Sequence, residues 1–392
     1  MIKKVVLSTL VTVSIFANTQ TIKSIDVNKT VQDYISAVKN NGLKDGGWII
    51  KDRKIGERGE SFISYLSKDK NDKDNYKELI GATFQNDINY TKDSYKGVST
   101  LIDFPVKDLD KNETQLVNDI IKNKLIVINS DYSSTNHKYN ISLKDINRTL
   151  NNTKIKTQGI NLTGLYDINN PMTNHSQISI KNIDILPLGK KVLGEYLNLE
   201  NLIIESQSEK KDKIINLEYK ISMNMLDSNI SNKHSLVDKL NLHIKIANLD
   251  AKVYEELEEL SSKNPSLISD KEIDRLISKL ISSKGLFIEI VDFSVNNIID
   301  DKKVMGSTKI TAKVSLDDIK NNAKFIASNP MMALSFLNLE TRIELSQEMI
   351  NTIMRDPRAM MLAILPPKKE NNKTIYVIKY SKGKLNINGQ KL

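Results

Sequence analysis

Residues 215–225, INLEYKISMNM, alternate strictly between apolar and polar side chains. This period of two predicts a β-strand with one apolar face and one solvated face, because successive side chains of a strand point to opposite sides. The strand would be about 35 Å long at ~3.3 Å per residue. Its apolar side is a candidate binding face, which consists of Ile215, Leu217, Tyr219, Ile221, Met223 and Met225.

Several further segments alternate in the same way, which is typical of antiparallel sheets with one solvated side. In two of these segments, 178–185 and 288–295, the alternation of apolar and polar residues is interrupted by one extra residue. An interruption of this kind predicts a β-bulge, which bends the sheet. The segments that alternate without an interruption are 240–246, 310–316 and 337–345.

Five segments have helical patterns. Residues 251–261 place Val253 and Leu257 opposite a row of glutamates, and Ser269 with Glu272 forms a capping box before an apolar 3.6-residue pattern that ends near Gly285. A third helix begins at Ser346 and is broken by Pro357. We therefore predict an α+β fold, mostly an antiparallel, bulged and curved sheet with a few amphipathic helices packed on one side. The two remaining candidates are 28–39 and 316–327.

Residues 1–17 have the composition of a secretory signal peptide. Lys3 and Lys4 precede an apolar run that ends on the small residue Ala17. The run is shorter than the roughly 20 apolar residues that span a bilayer. We expect the protein to work outside the cytoplasm. Because Ile15 is a poor cleavage determinant, an uncleaved segment that acts as a membrane anchor is the alternative.

The remainder of the 392-residue chain is long enough for one elongated domain or two ordinary ones. We expect a β-rich N-terminal region, 18–165, that continues into an antiparallel sheet-plus-helix region, 166–392. The chain contains no cysteine, which excludes disulfides, zinc–thiolate sites and thiol nucleophiles. Its stability must therefore come from buried apolar surface.

The formal net charge of +9 is spread over lysine doublets interleaved with acids. Such a pattern is typical of a solvated surface, and attraction to anionic lipid headgroups is the alternative. Basic and aromatic residues are not interleaved as base stacking requires, so we expect no nucleic-acid partner.

No motif in the sequence points to catalysis, a metal or a cofactor. The four histidines, His137, His175, His234 and His243, lack metal-ligand spacing. Neither a GxSxG elbow nor a glycine-rich phosphate loop is present. The glutamates of 251–261 would fan out over a solvated helix face instead of converging in a pocket. We therefore expect no enzyme.

The C-terminal segment Tyr376–Gln390, YVIKYSKGKLNINGQ, resembles the closing signature of the YdgA-like family of uncharacterised Gram-negative cell-envelope proteins. Residues 240–251, LNLHIKIANLDA, resemble the junction at which a strand of that family runs through N-L-D into a helix. Residues 95–100 resemble a further segment of that family more weakly. The histidine-glycine-proline segment that follows it in the family is missing here. The resemblance implies a periplasmic protein, cleaved or attached to the inner membrane by its signal. It supplies no catalytic residues.

These observations favour a non-enzymatic envelope protein whose one-sided sheet holds an apolar ligand such as a lipid. A dry core that buries the same residues is the structural alternative. A second functional hypothesis is a protein–protein scaffold or a homodimer in the envelope. A third, a hydrolase with dispersed carboxylates, is supported by no sequence feature.

Export of the chain is directly testable. Intact-mass analysis of the protein purified from its native cells should give a chain that lacks about 17 residues, in the periplasmic fraction. A full-length chain in the membrane fraction would identify the uncleaved anchor. A full-length chain in the cytosol would contradict the prediction of export.

Overall fold

The computed structural model describes residues 46–68, 80–90, 94–106, 109, 111–133, 135–150, 152–170, 172–188, 195–230, 232–261, 275–276, 279, 285–301, 303–317, 334–355 and 365–391. The predicted signal, 1–17, and the predicted helix 28–39 lie outside these residues. The chain divides into two compact units, residues 1–193 (unit 1) and 194–392 (unit 2).

The predicted α+β class is wrong, because strands account for 72% of the described residues and helices for only 11%. The described part of the protein is nearly all-β and antiparallel. Residues 251–261 and the segment after Ser346 do form helices. The predicted helices at 269–281 and 316–327 lie mostly outside the described residues. Strands also extend far beyond the alternating segments, since a solvated sheet face accepts polar residues at any position.

Unit 1 is an antiparallel meander. The strands β6 and β7 form one interrupted strand, which pairs with the interrupted strand β8–β9, and this in turn pairs with β10. Every earlier strand pairs with the next one along the chain. The strands are β1 (Gly46–Ile55), β2 (Gly59–Lys68), β3 (Thr83–Tyr90), β4 (Ser94–Asp103), β5 (Ile126–Ser133), β6 (Asn136–Leu143), β7 (Ile146–Leu150), β8 (Thr153–Gln158), β9 (Ile160–Asp167) and β10 (Asn174–Pro187).

One helix, α1 (Lys111–Lys122), covers part of this sheet between β4 and β5. Leu116 and Ile120 on its inner face are buried against a large apolar cluster that includes Phe84 and Ile141. The sequence analysis missed this helix. Unit 1 is thus built around a closed core, where each fully buried aliphatic side chain contributes about 1.5–3 kcal/mol.

The β-bulge predicted at 178–185 is not found within β10. The register of β10 is the same before and after it, so no residue is extra in β10. The neighbouring strands are interrupted in the same row, at Gly159 with φ +59° and near Lys144. In three adjacent strands the distance along the chain between successive apolar residues therefore changes at the same row. This bends the sheet, and the pairing register between the strands stays the same on both sides of the row.

Unit 2 is a second antiparallel meander, with strands of up to 18 residues. The strands β11 to β16 pair in chain order, and β18 pairs with β16 on one side and with β17 and β19 on the other. The strands are β11 (Tyr196–Lys211), β12 (Ile214–Ile230), β13 (Lys233–Asp250), β14 (Phe287–Asp300), β15 (Lys303–Leu316), β16 (Leu337–Leu345), β17 (Lys368–Glu370), β18 (Lys373–Ser381), β19 (Lys384–Ile387) and β20 (Gln390–Lys391).

A row of irregular residues crosses unit 2. Asn201 (φ 50°) in β11 and Lys239 (φ 49°) in β13 both lie opposite Asn224 in the register, and β14 and β15 shift register close to the same row. In this row the spacing of apolar residues changes from two to three in four neighbouring strands. The pairs of apolar residues are Leu199 and Leu202, Met223 and Leu226, Val237 and Leu240, and Val295 and Ile298.

The bulge predicted at 288–295 is confirmed, because the β14–β15 register shifts between Ile290 and Phe293. Beyond the irregular row, Ile298 packs in the same cluster as Ile343 of β16. The apolar side of the sheet therefore continues across the bend instead of switching faces.

Two helices whose bounds the structure describes pack on unit 2. The helix α2 (Ala251–Ser261) contacts β12 and β13 and is capped by Asp250, whose Oδ1 accepts from the Lys252 and Val253 amides at 2.9 and 3.2 Å. The helix α3 (Gln347–Ile353) packs on β15 and β18. The Ser346 hydroxyl caps α3 by accepting from the Met349 amide at 3.2 Å and also accepts from the Ser307 amide of β15 at 3.1 Å.

Gly306 makes the docking of α3 possible. It has φ +88°, and a Cβ there would overlap the Ser346 hydroxyl. Gly306→Ala should therefore lower the free energy of unfolding by about 2–4 kcal/mol, measured by urea unfolding. The matched control is Gly383→Ala, at φ +74° with nothing within 4 Å, which should cost only the about 1–2 kcal/mol of the left-handed conformation. Equal losses in both variants would contradict this account.

Candidate functional site

The candidate binding face predicted from the sequence lies on β12. Five of its six residues pair across the strand with apolar residues of β13. Cross-strand partners point to the same side of a sheet, so the two strands present one apolar surface. The pairs are Ile215 with Leu249, Leu217 with Ile246, Tyr219 with Ile244, Ile221 with Leu242, and Met223 with Leu240.

Met225, the sixth residue, has a different neighbourhood. It pairs with Glu200 on one side and with Asp238 on the other. Met225 is adjacent to Asn224 in the irregular row, where the apolar spacing changes. The period of two could not reveal this, because the change depends on the conformation of residues in neighbouring strands.

The apolar surface extends over seven strands of unit 2, from β12 to β19. The register connects three rows of side chains across these strands, and no member of a row is charged. We call these three rows the apolar face. The rows are Leu217, Ile246, Ile288, Val314, Leu339, Tyr380 and Leu385; Tyr219, Ile244, Ile290, Ala312, Thr341, Ile378 and Ile387; and Ile221, Leu242, Phe293, Ile310, Ile343 and Tyr376.

Most of these residues, those on β13 to β19, were not among the predicted candidates. The alternation in the sequence predicts several of these strands separately. It does not predict how they are joined, since a one-residue error in register moves a whole strand to the opposite face. The C-terminal segment is the clearest case, because its strands β18 and β19 form a hairpin whose Tyr376 and Ile378 complete the rows.

Among the described residues, the apolar face is buried at both ends and only partly buried in its middle. Next to α2, Ile215 is completely buried, and next to α3, Leu345, Met349 and Tyr376 form a buried cluster. Between them Tyr219 is 38% exposed and Ile288 is 44% exposed. Ile244, Ile290, Phe293 and Ile310 are only partly buried. Partly exposed apolar residues that lie in contiguous cross-strand rows make this part of the sheet a candidate binding surface.

The opposite side of the same strands is charged. Glu218 is its centre and lies within 2.5 Å of the His243 Nε2, 3.3 Å of the Lys220 Nζ and 3.7 Å of the Lys245 Nζ. Burial raises the pKa of the Glu218 carboxyl, but the hydrogen bonds from His243 and Lys220 outweigh it, so the pKa lies below its usual value. The carboxylate is therefore ionised at neutral pH.

Further ion pairs continue this charged side towards the C-terminus. Arg342 binds Glu344 at 2.8 Å, which holds the pKa of the Glu344 carboxyl below its usual value, and Lys379 binds Glu340 at 2.6 Å. These partly exposed pairs add little stability. Their consequence is that unit 2 has one side that favours water and one that favours hydrocarbon.

The dimensions of the apolar face suit an elongated apolar molecule. Its seven strands are separated by six spacings of ~4.8 Å, which gives about 29 Å across the strands. A bilayer core of about 30 Å holds two leaflets of acyl chains. The apolar face would therefore accommodate one extended acyl chain, or two placed end to end.

The described residues outside the apolar face offer little chemistry. Among them, no three His, Asp or Glu side chains converge as a metal site would require. Glu255 and Glu256 of α2 lie in ion pairs, with Lys210 at 3.5 Å and with Arg275 at 3.1 Å. His234 and the Tyr196 hydroxyl share the Asp227 Oδ1 at 2.9 Å each.

No protein-family model, no curated protein and no solved structure matches this chain. The resemblance to the YdgA-like family therefore stays a prediction from the sequence. Within the described residues, no helix has the length and apolar character needed to cross a membrane.

The partly exposed middle of the apolar face predicts that the folded protein binds an apolar dye. Ile288→Glu should reduce the fluorescence of bound anilinonaphthalene sulfonate at neutral pH at least severalfold, because a charge would interrupt the apolar face. Asn296→Glu, an exposed position of the same strand outside the three rows, is the matched control and should leave the fluorescence unchanged. If neither variant changes the signal, the dye binds elsewhere.

Proposed function

We propose that the protein is a non-enzymatic, periplasmic cell-envelope protein that holds the acyl chain of a lipid on the apolar face of unit 2. The single observation that carries the proposal is the partly exposed middle of that face, where Tyr219 and Ile288 are 38% and 44% exposed. A packed core would bury these residues.

The energetics favour a hydrocarbon chain. Each methylene group that leaves water contributes about 0.8 kcal/mol before the costs of ordering are subtracted. The three rows contain no charged residue, so a bound chain would meet no ionised group that has lost its water. Two positions in the middle row, Ala312 and Thr341, carry side chains smaller than those of their neighbours in the row.

Placement in the envelope is a separate part of the proposal. It is supported by the signal-like residues 1–17 and by the resemblance of the C-terminal segment to the YdgA-like family. Retention of the signal would attach the protein to the inner membrane, close to a source of lipid. The proposal includes no catalytic residue, no cofactor, no metal and no nucleic-acid partner.

The alternative function is an envelope scaffold or a homodimer. It is favoured by exposed apolar residues on β1, where Ile55 is 67% exposed and Ile49 is 39% exposed. Strands with such residues are sites at which another chain can pair. The charges of Lys51 and Arg53 in the same strand oppose this, since charged side chains protect sheet edges.

A series of saturated fatty acids tests the leading proposal. The affinity of the purified, delipidated protein should rise with chain length, by up to about fourfold per methylene at ~0.8 kcal/mol each, until the apolar face is filled. Tyr219→Glu should weaken binding of the longest chains about tenfold or more. Binding is measured by isothermal titration calorimetry, and lipid that co-purifies is identified by mass spectrometry.

The matched control is Asn224→Glu, which places the same charge five residues further along β12 at an exposed position outside the three rows. It should bind like the unmodified protein. Affinity that does not depend on chain length, or equal losses in both variants, would refute binding on the apolar face. A concentration-dependent dimer without lipid would support the scaffold instead.

A further inference from the structure

Unit 1 contains a cluster of aromatic rings around a buried histidine. His137 of β6 is 3% exposed. Its ring centre lies 5.4 Å from that of Tyr132, 6.1 Å from that of Tyr139 and 5.1 Å from that of Tyr166, which it meets edge-on. Tyr95 stacks on the far side of Tyr132 at 5.1 Å. We call these five residues the aromatic cluster.

The register explains why the rings meet. Tyr95, Tyr132, His137 and Tyr166 form one cross-strand row over β4, β5, β6 and β9. In the next row Tyr139 lies opposite Gly164, where a Cβ would overlap the tyrosine ring. The glycine thus leaves room for the Tyr139 ring, which is tilted by 57° to the rings of His137 and Tyr166. The histidine is enclosed by rings on both neighbouring strands.

The imidazole of His137 lacks a partner for its positive form. Its Nδ1 is buried and has no hydrogen-bond partner among the described residues. An imidazolium carries two N–H donors, so protonation would bury at least one donor without an acceptor. The surrounding faces of aromatic rings do not replace the water that a charged group loses.

The charged groups near the aromatic cluster provide little compensation. Asp131 is adjacent to Tyr132 but forms an ion pair with Lys96 of β4 at 3.6 Å. Lys138, the cross-strand partner of Asp131, adds a second positive charge. Asp167, next to Tyr166 in β9, accepts the amides of Asn169 and Asn170.

Two tyrosine hydroxyls of the aromatic cluster, those of Tyr132 and Tyr139, also stay neutral. Burial raises the pKa of both Tyr132 and Tyr139. In β10, which follows β9 in the sheet, the partner of Tyr166 is the uncharged Asn174. Among the described residues of the strands beside His137, the carboxylates of Asp131 and Asp167 are thus each engaged by other groups.

We propose that the aromatic cluster is a proton-operated switch, which opens the β5–β6–β9 part of unit 1 when its surroundings become mildly acidic. In the closed state the neutral imidazole packs among the rings. Once His137 takes up a proton, the ring must leave the cluster to reach water. Its departure removes the central member of the row that joins four strands.

The direction of the pH dependence follows from linkage. Burial lowers the pKa of His137 to about 4, with the charge of Asp131 opposing this change, whereas an unfolded histidine has its ordinary value of 6.5. The closed state therefore binds fewer protons than the open state between these two values. Its full stability is present above pH 6.5 and is lost progressively as the pH falls towards 4.

Hydrogen–deuterium exchange of the full-length chain tests the switch. Between pH 7.2 and 5.2, after correction for intrinsic exchange rates, the opening equilibrium of peptides from β5, β6 and β9 should rise about fifteenfold. His137→Phe keeps an aromatic ring in the cluster and should abolish this rise. The control His175→Phe changes a partly exposed histidine of β10 and should leave the rise intact.

An equal rise in the His137→Phe variant, or no rise in the unmodified protein, overturns the proposal. If His137→Phe fails to fold, the unmodified protein labelled with ¹³C-histidine decides by NMR titration. A His137 resonance that stays neutral in the closed state down to about pH 5 supports the switch. A His137 resonance that titrates near 6.5 in the closed state overturns it.

Discussion

Cross-strand pairing in a fixed register is the constraint on which the structure of unit 2 depends. A strand of 14 to 18 residues alternates its side chains between two faces, and a single unmatched insertion would move half of its apolar residues to the charged side. The irregular row prevents this exposure of apolar residues to the charged side. In β11 to β14 the spacing between successive apolar residues changes at the same row, so the strands stay matched. Asn201 and Lys239 have positive φ values in this row, and these backbone conformations produce the matched change of spacing. They bend the sheet while Ile298 still packs with Ile343.

The sequence predicts the separate strands of unit 2 well, since their alternation is a local property. It does not predict which residues lie side by side, because register is set by partners that are distant along the chain. Met225 illustrates the limit: it continues the alternation of β12, yet its partners are Glu200 and Asp238. Asn and Lys at positive φ give no clear signal either, since both are ordinary surface residues. The apolar face could therefore be located on β12 but not extended to β19.

The fold class was wrong for a related reason. Helical periodicity is easy to detect in a sequence even where the helices are short. The two helices of unit 2 that it predicts correctly have only 11 and 7 residues. Strands with polar residues on a solvated face leave a weaker pattern, and most of unit 1 belongs to this kind. Its core is formed by side chains that are scattered in the sequence, such as Phe84, Leu116 and Ile141, which the meander and α1 bring together. His137 lacks metal-ligand spacing in the sequence, and nothing in its neighbourhood along the chain predicts that it is enclosed by rings from the adjacent strands.

The two units differ in how far the apolar side of the sheet is removed from water. Unit 1 encloses its apolar side beneath α1 and buries even polar groups such as Asn86, which is satisfied by Ser64 and Ser99 at 2.8 and 2.6 Å. Unit 2 leaves the middle of its apolar face partly in water, which costs about 25 cal/mol per Å² that remains exposed. A ligand that covers this surface would recover that free energy and would stabilise the folded state in proportion to the logarithm of its concentration. On the two proposals made above, the stability of unit 2 should report on ligand binding and that of unit 1 on pH. The incomplete burial of unit 2 is the physical reason for proposing it, and not unit 1, as the unit that binds a ligand.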